Sequence, residues 1–146
     1  MSLEGVYDQQ NVFAKILRGE IPAAVIREDD ETLAFMDAFP QARGHCLVIH
    51  RASQARNLLE AEPETLVSVM STVQRVARAV RRALNPDGIM VSQFNGAPAG
   101  QTVFHLHVHI VPRWNGLPLG RHGETGLADP QALRTLAAEI AARLDG

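Results

Sequence analysis

The sequence predicts an α+β domain: an antiparallel meander of about five strands, with a long helix mid-chain and a second helix near the end. Three observations carry this expectation. Short, largely apolar runs separated by turn residues recur between residues 24 and 50 and again between 89 and 111. Between Pro63 and Leu84 the apolar period becomes helical. At 146 residues and 46% hydrophobic content, the chain is about the size of one ordinary domain and can bury a proper core.

The elements follow in order. The stretch "MSLEGVYDQQ" is expected to be a weakly constrained end, so residues 1–10 are set apart. "NVFAKILRGEIP" places Val12, Phe13, Ile16 and Leu17 on one helical stripe, with Asn11 able to cap its start and Gly19 able to end it. Next come "AVIRE", the turn "DD", "TLAFMD", the loop "AFPQARG" and "HCLVIH", which read as neighbouring strands. In the long helix Leu66, Val69, Met70, Val73, Val76, Ala77, Val80 and Leu84 form the apolar stripe, and Arg75, Arg78, Arg81 and Arg82 fall mostly away from it. "NPDG" stops the helix, and "IMVSQF" resumes strand character before the loop "NGAPAGQT" and the run "FHLHVHIV". A Gly/Pro-rich stretch, "WNGLPLGRHGETG", leads to the last helix. Asp129 is its N-cap, Pro130 its first residue, and Leu133, Leu136, Ile140 and Leu144 its inward face.

Composition excludes several function classes. Fourteen basic against sixteen acidic side chains give a formal charge of -2 with no block of like charges, so neither nucleic acid nor a membrane surface is an expected partner. The single cysteine, Cys46, excludes an internal disulfide framework and suits a reducing compartment. There is no apolar run of the roughly 20 residues a membrane span needs, and no signal-peptide core, so a cytoplasmic location is expected.

The chemistry concentrates in "FHLHVHIV". Of six histidines in the chain, three lie at alternate positions, His105, His107 and His109. In a strand all three face one way at spacings of about 6.6 Å, and Phe104, Leu106, Val108 and Ile110 face the core. One reading is a solvated face that happens to be histidine-rich. A second is a metal site, but the outer pair is separated by about 13 Å of backbone, whereas zinc ligands must converge to about 2.1 Å from one ion. Two of them would need a further ligand from elsewhere, and no Cys pair or carboxylate cluster offers one. A third is nucleophilic and acid–base catalysis, for which neutral imidazole is suited near pH 7 by its pKa of about 6.5. Phosphorus is the natural electrophile. Small residues in "NGAPAGQT" let backbone N–H groups approach phosphoryl oxygens, and Asn95, Gln101 and Thr102 add polar side chains.

His105-Leu106-His107-Val108-His109-Ile110-Val111 matches a His-φ-His-φ-His-φ-φ signature, φ being apolar, and with it the chain resembles the histidine triad family. "NGAPAGQTVFHLHVHIVPR" is similar to the active-site segment of bacterial members, and "VFAKILRGEIPA" and "EDDETLAFMDAFPQARGHCLVI" occur in the family's order. The likeness spans roughly residues 11–114, with residues 115–146 expected as a loop and helix packed on the same domain. The resemblance implies an α+β homodimer that hydrolyses nucleotides, or transfers their nucleotidyl group, at the α-phosphorus through a nucleotidyl-histidine. It makes His107 the nucleophile, assigns His109 to the phosphate and leaving-group side and His105 to support, and sets His45 against the triad. It further implies Asp37 for the ribose hydroxyls, Gly100, Gln101 and Thr102 for the phosphate loop, and Val12, Phe13, Ile16 and Leu47 around the base. Asn95 lies one place from a family amide. Several relatives carry Cys-x-x-Cys near the first helix where this chain has "NVFA", so no structural zinc and no cofactor are expected. The expected partner is a purine nucleotide or nucleotide conjugate. The competing expectation is a purine-nucleotide-binding regulatory or scaffold module, whose sequence would look almost the same.

Overall fold

The first regular element starts where a side chain can replace a missing intrahelical partner. Asn11 accepts the N–H of Ala14 at 2.9 Å and opens α1 (Val12–Leu17). The helix ends in a left-handed glycine: Gly19, at φ +78°, donates to Ile16 while Glu20 reaches back to Lys15. Phe13 and Ala14 are buried, whereas Val12 is 38% exposed and leaves the expected inward stripe.

The computed structural model describes residues 3–121 and 126–145, so four residues of the expected tail loop lie outside the described residues. Five strands follow α1: β1 (Val25–Glu28), β2 (Thr32–Met36), β3 (Cys46–His50), β4 (Gly88–Ser92) and β5 (His107–Arg113). They form one antiparallel sheet in the order β1-β2-β3-β5-β4. The first three are a simple meander. The last two are reversed: β3 and β4 both run antiparallel to β5 and therefore parallel to each other, so no hairpin can join them. The crossover is α2 (Pro63–Leu84), whose bounds coincide with the expected helix. A third helix, α3 (Pro130–Ala141), is capped by Asp129 through the N–H of Gln131.

Both faces of the central strands are covered, which is why all five residues of β2 are buried. On one side α2 and α3 pack against Ala34, Met36, Cys46, Val48, Val108 and Ile110. On the other, Phe13 of α1 joins Leu33, Phe35, Leu47 and Ile49 in a smaller apolar cluster. The buried stripe of α2 is rotated from the hydropathy expectation. It runs through Thr65, Val69, Thr72, Val73, Val76, Ala79 and Val80, while Met70 is 47% exposed. Thr72 turns inward because its hydroxyl meets that of Thr32 at 2.7 Å, which satisfies both buried groups.

Candidate active site

Strand β5 begins at His107 rather than at Phe104, which corrects the expectation of three histidines on one ladder. Its ladder with β3 stops at Ile49↔His107, and β3 itself ends one residue later, at His50. The chain then turns, with the N–H groups of Ala52 and Ser53 on His50 Nδ1. Residues 104–106 therefore have no strand to pair with, and Leu106 N–H donates to the Ala55 carbonyl instead. Phe104 is only partly buried and carries the Arg56 guanidinium over its ring at 5.0 Å. His107 and His109 remain on one face, ring centroids 4.9 Å apart, opposite Val108 and Ile110.

Hydrogen bonds fix which nitrogen of each imidazole carries the proton. His107 Nδ1 lies 2.7 Å from the His105 carbonyl, an acceptor only, so Nδ1 is the donor and the neutral ring's lone pair sits on Nε2. His45 Nδ1 accepts the Gln41 N–H at 3.0 Å, so neutral His45 is protonated on Nε2 and donates to His109 Nδ1 at 2.9 Å. That bond in turn puts the His109 proton on Nε2. Asp37, at the end of β2, extends the ladder with its N–H to the His45 carbonyl and places Oδ2 3.4 Å from His45 Nε2. Its Oδ1 accepts the Phe39 N–H at 2.8 Å.

Asp37, His45 and His109 are buried, and each brings one potential ligand atom to within 4.8 Å of the others, a spacing a metal ion could use. The tautomer argues otherwise. Gln41 N–H occupies His45 Nδ1 and drives the proton onto Nε2, the atom that would have to bind metal with an open lone pair. A hydrogen-bond relay is the better chemical description of this cluster.

His105 is 1% exposed. Burial pushes its pKa down to about 4, and the His107 and His50 rings push the same way, against the raising effect of the His50 carbonyl. Between about pH 4 and 6.5 the unfolded chain thus binds a proton that the native ring refuses, so stability falls as pH drops through that window. The full difference is about 3 kcal/mol, present once both forms are below their pKa values. The expected result is a His105 Cε1–H resonance that titrates near 4, with a denaturant midpoint that declines over the same range. Titration of this ring above pH 6 would refute the assignment.

The remaining sequence-predicted residues divide into three groups. Phe13 meets His107 edge-to-face at 4.9 Å, Leu47 pairs across the ladder with His109, and Ile16 packs on the same apolar cluster. Gly100, at φ +110°, closes the 3-10 turn Ala97–Ala99, a conformation that favours glycine, and Thr102 two residues on is exposed. Gln101 has a different task from that expected. Its Oε1 accepts the Gly96 N–H and its Nε2 donates to the carbonyls of Arg56 and Val103, so both amide hydrogens are spent inside the loop. Asn95 Oδ1 is likewise taken, by Leu58 N–H and Gln93 Nε2. The N–H groups of Thr102, Val103 and Phe104 have no acceptor among the described residues, so what the loop presents outward as donors is backbone rather than the Gln101 and Asn95 amides.

The sequence model of the HIT domain matches residues 18–116, a span that holds the relay, the loop and β5. The chain belongs to the HIT domain family. Among HIT relatives, "Protein hit" of Bacillus subtilis is 38% identical over 136 residues, covering 91% of this chain and 93% of that one. "Adenylylsulfatase HINT3" of Arabidopsis thaliana is 37% identical over 117 residues, covering 76% of this chain and 59% of that protein. A crystal structure of a Hit-like protein involved in cell-cycle regulation, from Bartonella henselae with an unknown ligand, superposes with a TM-score of 0.87 at 47% identity. It covers 95% of this chain and 100% of that one. A zinc-bound histidine triad family protein from Mycobacterium smegmatis superposes at 0.78 with 38% identity, covering 92% of this chain and 95% of that one. Tyr7 is a residue that the sequence reading missed. It lies in the segment expected to be weakly constrained, yet its hydroxyl is 2.6 Å from His105 Nδ1.

Proposed function

We propose that this HIT protein hydrolyses, or transfers the nucleotidyl group of, nucleotides at the α-phosphorus. His107 is the nucleophile and a nucleotidyl-histidine the intermediate. The observation that carries this reading is the His107 Nδ1–H bond to the His105 carbonyl, which puts the nucleophilic lone pair on Nε2. Attack forms the N–P bond and breaks the bond to the leaving group, which takes a proton from His109 Nε2–H. Water then attacks phosphorus and gives its proton back to His109, while the N–P bond breaks and its electron pair returns to His107 Nε2. Each step inverts, so configuration at phosphorus is retained overall.

Binding is assigned to Asp37 for the ribose diol and to Phe13, Ile16 and Leu47, with Val12 at the exposed margin, for the base. Gly100, Thr102 and the backbone after Gln101 serve the phosphate. Residues 11–114 form the catalytic unit, and α3 packs on it through Leu133, Ala137 and Ile140. A homodimer is supported by the outer edge of β4, which no strand among the described residues pairs, and by Val67 and Met70, 70% and 47% exposed on α2. No helix among the described residues is long and apolar enough to cross a membrane.

Three substrates are to be compared: an adenosine phosphoramidate, a dinucleoside polyphosphate and adenylyl sulfate, the last suggested by the name of the Arabidopsis thaliana relative. Rapid alkaline quench during turnover, which preserves an acid-labile N–P bond, is expected to give a nucleotidyl adduct on the peptide containing His107, with or without a chelator, and sedimentation a mass of twice 15.9 kDa. No turnover of any of the three, or an adduct on another residue, would overturn the mechanism. A single-chain mass would remove the dimer.

A further inference from the structure

The segment before α1 lies across the supporting side of the triad and is anchored there at three points. The Leu3 carbonyl accepts from Asn57 Nδ2 at 3.2 Å. Gly5 lies against the Arg56 guanidinium so closely that a Cβ there would sit 3.2 Å from Cζ. Tyr7 places its hydroxyl 2.6 Å from His105 Nδ1, with the two rings tilted at a centroid distance of 5.7 Å.

The third anchor reaches the reacting atoms through one intermediate group. His105 is bonded to the His50 backbone carbonyl, which can only accept, so that ring nitrogen is the donor and Nδ1 receives the Tyr7 proton. Both nitrogens of a buried ring are then satisfied, and neither the ring nor its tautomer has an equivalent alternative. The carbonyl of the same residue receives His107 Nδ1–H at 2.7 Å. Residue 105 precedes the first ladder pair, so no β pairing orients that carbonyl. Two constraints remain: the bond from Leu106 N–H to Ala55, which shares its peptide plane, and the doubly held His105 ring.

We infer that Tyr7 is a positioning residue of the triad, holding His105 so that its carbonyl keeps His107 in the tautomer with a nucleophilic Nε2. The inference rests on the reading of His107 as nucleophile for its kinetic consequence, but the tautomer can be measured apart from turnover. Tyr7→Phe keeps the ring and removes only the hydroxyl. Val6→Ser alters the same segment at a side chain that is 93% exposed and touches nothing in this network.

In 15N-labelled wild type at pH 7, two-bond correlations should show His107 protonated on Nδ1 and His105 on the opposite nitrogen. In Tyr7→Phe, His107 should give averaged shifts of a tautomer mixture, and kcat for the phosphoramidate should fall about 10-fold with KM within about twofold, a loss of orientation rather than of binding. Val6→Ser should change neither. A Tyr7→Phe protein with a single His107 tautomer overturns the inference, whether or not the wild type turns over nucleotide. A lower melting temperature with unchanged kcat, measured well below that temperature, overturns it equally. A wild type inactive on every nucleotide tested sinks the proposed function instead and leaves the tautomer result to decide on Tyr7.

Discussion

Replacing His107 with alanine is expected to lower kcat by about 10,000-fold or more while leaving nucleoside monophosphate affinity within about threefold. The asymmetry follows from where the contacts lie. In the proposed mechanism His107 supplies the bond-forming lone pair, and nothing else named at the site offers a second one in that tautomer, since His45 and His109 form a relay with each other. Affinity is assigned to groups the substitution leaves in place: Asp37 at the end of β2, the apolar cluster of Phe13 and Leu47, and backbone donors after Gln101. Direct attack by water, assisted by His109, accounts for the residue of activity. Stopped assays at saturating substrate together with titration calorimetry check both halves. Unchanged turnover would remove His107 from the mechanism, and a parallel collapse of affinity would mean that the imidazole binds rather than reacts. The competing scaffold reading predicts that nucleotide binding survives and that turnover was negligible in the wild type as well.

Gly44→Ala is expected to destabilise the fold by about 3 kcal/mol or more, combining a left-handed backbone that costs about 1–2 kcal/mol with overpacking of about 1–3 kcal/mol. Gly44 sits at φ +89°, and a Cβ there would fall 2.4 Å from Leu84 Cδ1 and 3.1 Å from Pro112 Cγ. Pro112 is in β5, where it cannot step aside. Gly19→Ala provides the comparison: at φ +78° it has nothing within 4 Å of the new methyl, so it carries the backbone cost alone. The melting temperature of Gly44→Ala should drop about 10 °C or more below wild type and clearly below that of Gly19→Ala. Equal drops would show that Leu84 relaxes freely. Because Gly44 directly precedes His45, the variant should also lose activity at temperatures where it remains folded.

Much of this architecture is legible from local rules. Asn11, Gly19, Asp129 and Pro130 mark helix ends by their own backbone chemistry, and the limits of α2 follow from Pro63 at its start and Asn85-Pro86 after it. The less legible features all depend on distant partners. Hydropathy cannot anticipate that Thr72 is buried and Met70 exposed, because the reason is a hydroxyl 40 positions away. Alternation placed His105 on the strand, but β3 ends before it can pair there. Gln101 looked like a phosphate contact, and the carbonyls of Arg56 and Val103 that occupy it are invisible in its local sequence. Tyr7 and His105 are 98 positions apart, so a segment without apolar periodicity gave no sign of its anchor. Within the relay, the residue types were readable while the proton positions required the Gln41 N–H.

The strand order also bears on how the chain reaches this state. β5 is the last of the described strands to be made, and it enters a slot between two strands already in existence. Until it docks, β3 offers the edge Cys46–Ile49, apolar on both sides and able to recruit a neighbouring chain. During synthesis the ribosome releases that edge well before its natural partner, a period in which aggregation competes with folding. Once β5 inserts, the hazard ends and His107 and His109 arrive together, so a nascent chain is either sticky and inert or closed and competent.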